Sequence, residues 1–156
     1  MLHPSIRTAT PSDLPELLRL FEDTVRTVAA RDYQPEQIAK WASSAQNPER
    51  WAAKMTEQVF WVTEETGEIT GFISLATDGY IDFLYVHKDH QGKGLASRLL
   101  ETVEAYAKRK GISQLYSDVS LTARPFFLRK GFVISSIYTK WLGEVAFENT
   151  MVSKLI

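Results

Sequence analysis

Gln91-Gly92-Lys93-Gly94-Leu95-Ala96 is the stretch whose residue types and spacing could do chemistry. Its two glycines withdraw side chains where a ligand would approach the main chain. If a helix begins here, its first N–H groups have no partner within the helix, and the helix dipole adds partial positive charge. Together these features make an anion site suited to a pyrophosphate. Lys93 adds a cation in the loop and Arg98 another a turn later. Glycines at a strand-to-helix turn also serve close packing alone, so both readings stand at this point. Two other glycine motifs are excluded by inspection. The dinucleotide fingerprint needs a third glycine where Ser97 stands, and repeated strand–helix–strand units where this chain has one. A P-loop needs Gly-x-x-x-x-Gly-Lys-Ser/Thr, which is absent.

The flanking pattern supplies the elements that must hold this loop. Tyr80 to Val86 reads as a strand, His87 to Gln91 as a polar loop, and Gly92 to Lys110 as a helix. That helix carries Leu95, Leu99, Leu100, Val103 and Ala107 on one face and ends at Gly111. Ser113 to Ser120 is the next strand, so the crossover makes the two flanking strands parallel. Upstream, Gln58 to Thr63, Ile69 to Ala76 and Tyr80 to Val86 form an antiparallel meander, with Thr77-Asp78-Gly79 as a hairpin turn. Strict alternation would put Tyr80, Asp82, Leu84 and Val86 on one face and Ile81, Phe83 and Tyr85 on the other. The first third is helical: Thr10-Pro11-Ser12-Asp13 starts a helix to about Ala30, and Pro35 and Pro48 open two more. A short helix around Ala123 to Arg129 ends at Gly131, and strands follow. The expected class is mixed α/β, in one domain spanning 1–156.

Composition narrows the function classes. With 156 residues, 44% hydrophobic and 24% charged, the balance is that of a globular protein. Net charge is −1 from 18 basic and 19 acidic side chains, which gives no global attraction to nucleic acid or to a membrane. There is no Cys, which excludes disulfides, thiolate metal ligands and Cys nucleophiles. His3, His87 and His90 are too few and too scattered for a metal site, and no metal is expected. The segment Met1 to Arg7 lacks the pattern of a signal peptide. No apolar run approaches the ~18 residues that span a bilayer. The expected location is cytoplasmic.

Ile81 to His87, followed by Gln91-Gly92-Lys93-Gly94-Leu95-Ala96, resembles motif A of the GNAT (GCN5-related) N-acetyltransferases: an apolar strand, then Gln/Arg-x-x-Gly-x-Gly/Ala, then a helix. Downstream, Ala123 to Phe132 (Ala-Arg-Pro-Phe-Phe-Leu-Arg-Lys-Gly-Phe) is similar to motif B of that family. The resemblance covers essentially the whole chain. It looks closest to the YafP-like branch, given Tyr80-Ile81-Asp82 and Thr122 to Phe127. It implies a mostly antiparallel twisted sheet of about six or seven strands with one splayed parallel pair, flanked by about four or five helices.

By the same resemblance, acetyl-CoA enters the splayed gap as co-substrate. Leu84, Tyr85 and Val86 would offer backbone to the pantetheine arm. Gln91, Gly92, Lys93, Gly94, Leu95 and Ala96 would hold the pyrophosphate, with Ser97 and Arg98 as weaker contacts. Ser120 would bond the pantetheine, Phe126 and Phe127 would pack near the thiol, and Arg129 could reach a phosphate. The implied reaction is direct attack of a neutral amine on the thioester, with a base taking its proton. Asp82 is the first choice for that base, Tyr80 shares the acceptor-facing end, and Asp118 is the alternative. Many relatives carry a Tyr at the position of Phe127 that protonates the leaving thiolate; here Tyr116 or Tyr85 could serve, or no dedicated acid. The acceptor is expected to be a small-molecule primary amine, met by Thr24 to Trp41, among them Arg26, Arg31, Asp32, Tyr33 and Trp41. Trp41 and Trp51 could equally be packing residues. A peptide or protein acceptor, or a module sensing acetyl-CoA without turnover, are the alternatives. Homodimers through the late strands are common in such proteins.

Overall fold

In the computed structural model, which describes residues 4–156, one seven-stranded sheet runs through the molecule. Met1, Leu2 and His3 lie outside the described residues. The strands are β1 (Ser5–Thr8), β2 (Val59–Glu65), β3 (Glu68–Leu75), β4 (Tyr80–Val86), β5 (Gln114–Val119), β6 (Val133–Leu142) and β7 (Val145–Leu155). Their order is β1-β2-β3-β4-β5-β7-β6, and only β4 and β5 are parallel. The α-helices are α1 (Leu14–Thr27), α2 (Pro35–Ala42), α3 (Pro48–Glu57), α4 (Leu95–Arg109) and α5 (Arg124–Arg129), with short 3-10 turns between some of them. Strand and helix numbers fall within those expected.

Each sheet face buries one apolar cluster. Leu17, Phe21 and Val25 of α1, Ile38 of α2 and Trp51 of α3 pack on Phe60, Val62 and Phe72. On the other face Leu99, Leu100, Val103 and Ala107 of α4 cover Ile73, Leu75, Ile81 and Leu115. The helical period in these segments is thus spent on two opposite faces of one sheet. At the start of α1 the Thr10 N–H donates to Asp13 Oδ2 at 2.8 Å, while Arg7 grips the same carboxylate with two bonds of 2.8 and 3.0 Å. That ties β1 to the helix start, and Arg7 holds the Asp13 carboxyl down at about 2.

Two details differ from the sequence reading. Helix α4 begins at Leu95, three residues later than the pattern suggested, because Gly92 (φ +73°) and Gly94 (φ +78°) hold left-handed backbone that ends the loop rather than starting a helix. Strand β4 does not alternate strictly. Ile73 pairs with Leu84 and Leu75 with Ile81, so Asp82 and Phe83 together stand opposite Ser74 in a β-bulge. Ser74 is fully buried and its Oγ accepts the Phe83 N–H at 3.1 Å, which supplies the partner that the bulge removes from the ladder. As a result Asp82 and Phe83 both face α3, while Ile81 and Leu84 both contribute to the α4-side cluster.

Candidate active site

The parallel pairing is short. Tyr80 pairs with Tyr116 and Ile81 with Ser117, and the register ends there, at the bulge. Ser117 Oγ donates to the Ile81 carbonyl at 2.7 Å and closes the junction. Beyond it β4 and β5 diverge, which leaves the β5-facing edge of Leu84 to Val86 without a strand partner.

Two cavities open from this divergence. The first, about 430 Å³, runs along the loop before α4 and is lined by Leu84 to Val86, Gln91, Gly92, Gly94 to Ser97, Ser120, Phe126 and Arg129. The second, about 440 Å³, lies toward α2, α3 and β7, and holds Tyr80, Asp82, Asp118 and Phe127. Leu84, Tyr85, Trp41, Ser120 and Ala123 line both, so the two spaces meet at the middle of β4. Most of the expected contact residues are therefore gathered in the first cavity.

The loop has an anion cradle's chemistry. A Cβ built on Gly92 or Gly94 meets nothing within 4 Å, so neither glycine is there for close internal packing; their positive φ is what demands glycine. The first bond of α4 runs from Arg98 N to the Gly94 carbonyl at 3.1 Å. The amides of Leu95, Ala96 and Ser97 precede it and are unbonded among the described residues. Gln91 Nε2 donates to the Val86 carbonyl at 2.5 Å and pins the loop to the end of β4. Two side chains expected near phosphate take other work. Arg98 donates to the Pro4 carbonyl at 2.7 Å, Lys93 Nζ sits 3.3 Å from His90 Nδ1, and neither lines a cavity. His87 accepts the Asp89 N–H at 3.1 Å and shapes the loop. Among the described residues no three His, Asp or Glu side chains gather as metal ligands.

In the second cavity Asp82 is held rather than free. Its Oδ2 accepts from Lys54 Nζ at 2.6 Å and from Gln58 Nε2 at 2.8 Å, both from the α3 region, and its side chain is 14% exposed. Among the described residues, hydrogen bonds reach only Oδ2, so Oδ1 is open. Lys54 also sits 5.5 Å above the Phe83 ring. Lys54 had no signal in the sequence, because the meeting of α3 with β4 is non-local. Asp118, the alternative, is engaged at both oxygens: Asn149 donates to Oδ1 at 3.0 Å, and Tyr138 (2.5 Å) and Lys140 (3.3 Å) donate to Oδ2. Burial, together with the bond to Asp118, raises the Tyr138 hydroxyl to about 12.

The tyrosines separate by position. Tyr116 packs on Tyr80 with ring centres 5.1 Å apart, but its hydroxyl donates to Asp78 in the β3–β4 turn, and it lines neither cavity. Asp78 raises it to about 12. Tyr116 was expected at the catalytic end, and the acidic turn draws its hydroxyl away from the cleft. Tyr80 lines the second cavity and Tyr85 the junction, and burial raises both above the ordinary phenol value, so both stay protonated donors at neutral pH. Phe127 is buried against Phe132 and closes the cavity floor.

Among the expected acceptor residues, Tyr33 and Trp41 line the second cavity, and the Tyr33 hydroxyl accepts the Leu121 N–H at 2.8 Å, tying the α1–α2 connection to the cleft rim. Arg26 pairs with Glu22 at the surface, and Asp32 accepts from the Thr122 hydroxyl. Trp51, 2% exposed and bonded through Nε1 to the Ser44 carbonyl at 3.1 Å, is chiefly a packing residue.

The family description "Acetyltransferase (GNAT) domain" matches residues 29–140. The chain belongs to the GNAT acetyltransferase family. It is 36% identical over 127 residues to the uncharacterized N-acetyltransferase YafP of Escherichia coli, covering 81% of this chain and 79% of that one. A GCN5-related N-acetyltransferase from Rhodopseudomonas palustris superposes with a TM-score of 0.95 at 30% identity, over 100% of this chain and 98% of that one. The fold also matches a PaiA N-acetyltransferase from Thermoplasma acidophilum, solved in complex with coenzyme A, at a TM-score of 0.82 and 18% identity, over 99% and 100% of the two chains. The family reading and its YafP-like branch are borne out, and the chain is an acyltransferase of the GNAT class.

Proposed function

We propose that this N-acetyltransferase moves the acetyl group of acetyl-CoA directly to the primary amine of a small molecule. The observation that carries the proposal is the meeting of two cavities at Leu84 and Tyr85, one lined by the first turn of α4 with its free amides, the other by Asp82. The open space over Gly92 and Gly94 and the unbonded amides of Leu95 to Ser97 fit a pyrophosphate. The unpaired edge of Leu84 to Val86 fits an amide-bearing pantetheine arm, with Ser120 and Phe126 beside it. Arg129, in the same lining, would meet a phosphate. Acetyl-CoA supplies the activated thioester. A chain without Cys has no thiol to carry an acyl intermediate, which favours direct attack.

In this reading Asp82 accepts the amine proton through its open Oδ1 while Lys54 and Gln58 fix the carboxylate through Oδ2. Tyr80 orients the acceptor. Tyr85, protonated at the junction, stands where the thiolate would leave and is the proton donor in place of the residue at 127. A cavity of about 440 Å³ suits a small molecule, since ligand pockets run about 300–1,000 Å³. The same reading includes one domain and a homodimer through the late strands: edge strand β6 leaves Val133, Ile137 and Trp141 exposed. Thiol release from acetyl-CoA, measured with a panel of primary amines, tests the function. Acceptor-stimulated release supports it, and tight CoA binding with no stimulation by any amine would point to a sensing module instead.

A further inference from the structure

The acceptor cavity carries more positive charge than its acids balance. Four cations line it, Lys40, Arg50, Lys54 and Lys140, against two carboxylates, Asp82 and Asp118. The carboxylates are already matched one to one, Asp82 with Lys54 at 2.6 Å and Asp118 with Lys140 at 3.3 Å. Lys40 and Arg50 remain. Among the described residues neither side chain makes a hydrogen bond or an ion pair, although both are within reach of the cavity. Arg50 stands one helical turn before Lys54 on α3, so the two share a face with Cβ atoms about 6 Å apart. Lys40 comes from the end of α2 and lies beside Gly143 in the β6–β7 turn. Two unmatched cations therefore flank the space whose inner end is Asp82.

We infer that the acceptor is an anionic amine: a molecule whose amino group reaches Asp82 while a carboxylate or phosphate at its other end meets Arg50 and Lys40. The inference rests on the reading that this cavity takes the acceptor. An anion there offsets the positive excess of the cavity, and a planar guanidinium suits a two-oxygen partner. A polyamine would instead add cations to a space that already holds two in excess, and like charges at such distances repel.

The test uses the full chain with acetyl-CoA and four acceptors of similar length: γ-aminobutyrate, its carboxamide, aminopropyl phosphate and putrescine. In the first two the amine is insulated from the group that changes, so its own basicity is nearly constant. The expected order of kcat/KM places both anions at least about tenfold above the carboxamide and putrescine. Carboxylate above phosphate, or the reverse, identifies the source of the anion. Arg50→Ala is expected to shrink the ratio of γ-aminobutyrate to carboxamide about twofold to fivefold, and Lys40→Ala to add to that loss, because each removes one exposed contact. Both side chains are unbonded, so the variants keep the fold, and melting curves check this. Putrescine or the carboxamide turning over as fast as the anions, or an anion preference untouched in the double variant, would overturn the inference and leave the acetyl transfer standing. Thiol release that no amine of any charge stimulates would remove the transferase reading itself, and this inference with it.

Discussion

Replacing Asp82 with Asn separates the base from the geometry around it. The substitution keeps a carbonyl oxygen where Oδ2 accepts from Lys54 and Gln58, so the bonds at 2.6 and 2.8 Å have an acceptor of the same shape. What disappears is the negative charge and the proton affinity of Oδ1. The structural cost is the loss of one pair whose side chains are 14% and 23% exposed, about 1–2 kcal/mol, which leaves the fold intact. The catalytic cost is larger. A positioned general base contributes about 10²–10⁴-fold, or about 3–5 kcal/mol of barrier. Asp118 is a poorer replacement, because both of its oxygens already accept hydrogen bonds. The assay is CoA release at pH 7 under saturating acetyl-CoA, with acetyl-CoA binding measured separately by calorimetry. An amine of pKa about 10 is neutral in about one molecule per thousand at pH 7, so the rates of parent and variant should both climb with pH toward the amine's own pKa. Full turnover at neutral pH in Asp82→Asn, with acetyl-CoA binding intact, would refute the assignment.

The loop, the tyrosines and the N-terminal tie give three further expectations. Gly94→Ala forces a Cβ onto φ +78° and into open cleft space; stability should fall by about 1–2 kcal/mol in chemical denaturation and coenzyme A should bind more weakly in calorimetry, whereas unchanged affinity would argue against the cradle. Tyr85→Phe should lower kcat about tenfold or more, while Tyr116→Phe, whose hydroxyl serves Asp78 outside both cavities, should stay within about twofold; the opposite pattern in steady-state kinetics would exchange their roles. Arg7 depresses Asp13 from 3.8 to about 2, so its stabilisation is complete above pH 3.8 and is lost as pH falls toward 2. Asp13→Asn should therefore cost about 1 kcal/mol at pH 7 after allowance for solvent screening, and the difference from the parent in urea midpoints should vanish near pH 2.

What the sequence made legible and what it hid divide along local and non-local physics. The ends of β4, the glycine loop and the apolar face of α4 follow from period, turn residues and caps, all of which act within a few residues. The parallel β4–β5 pair follows from a crossover rule. The insertion of β7 between β5 and β6 has no local signal, since it depends on which edge the last hairpin joins. The bulge is the most consequential miss. Alternation assumed a period of two through Tyr80 to Val86, and one extra residue opposite Ser74 breaks it at Asp82 and Phe83. Ser74 near the end of β3 was the available trace, because its hydroxyl serves a backbone group left without a ladder partner.

That extra residue accounts for the site better than any single side chain does. It ends the pairing of β4 with β5 after Ile81, which opens the cleft. It leaves Asp82 and Phe83 together on the face toward α3, where Lys54 and Gln58 fix Asp82. It sets Phe83 on Trp51 with ring centres 4.5 Å apart, which locks α3 against the sheet and so holds Lys54, and with it Arg50, over the cavity. A strictly alternating strand with Asp82 turned the same way would send Phe83 and Tyr85 to the α4 side, and Tyr85 would then leave its contacts with Phe21 and Phe72 on the α1 side. The acid–base pair proposed here, Asp82 and Tyr85, is three residues apart in sequence, an odd separation that an alternating strand places on opposite faces. One inserted residue puts both on the same face, beside the junction where thioester and amine would meet.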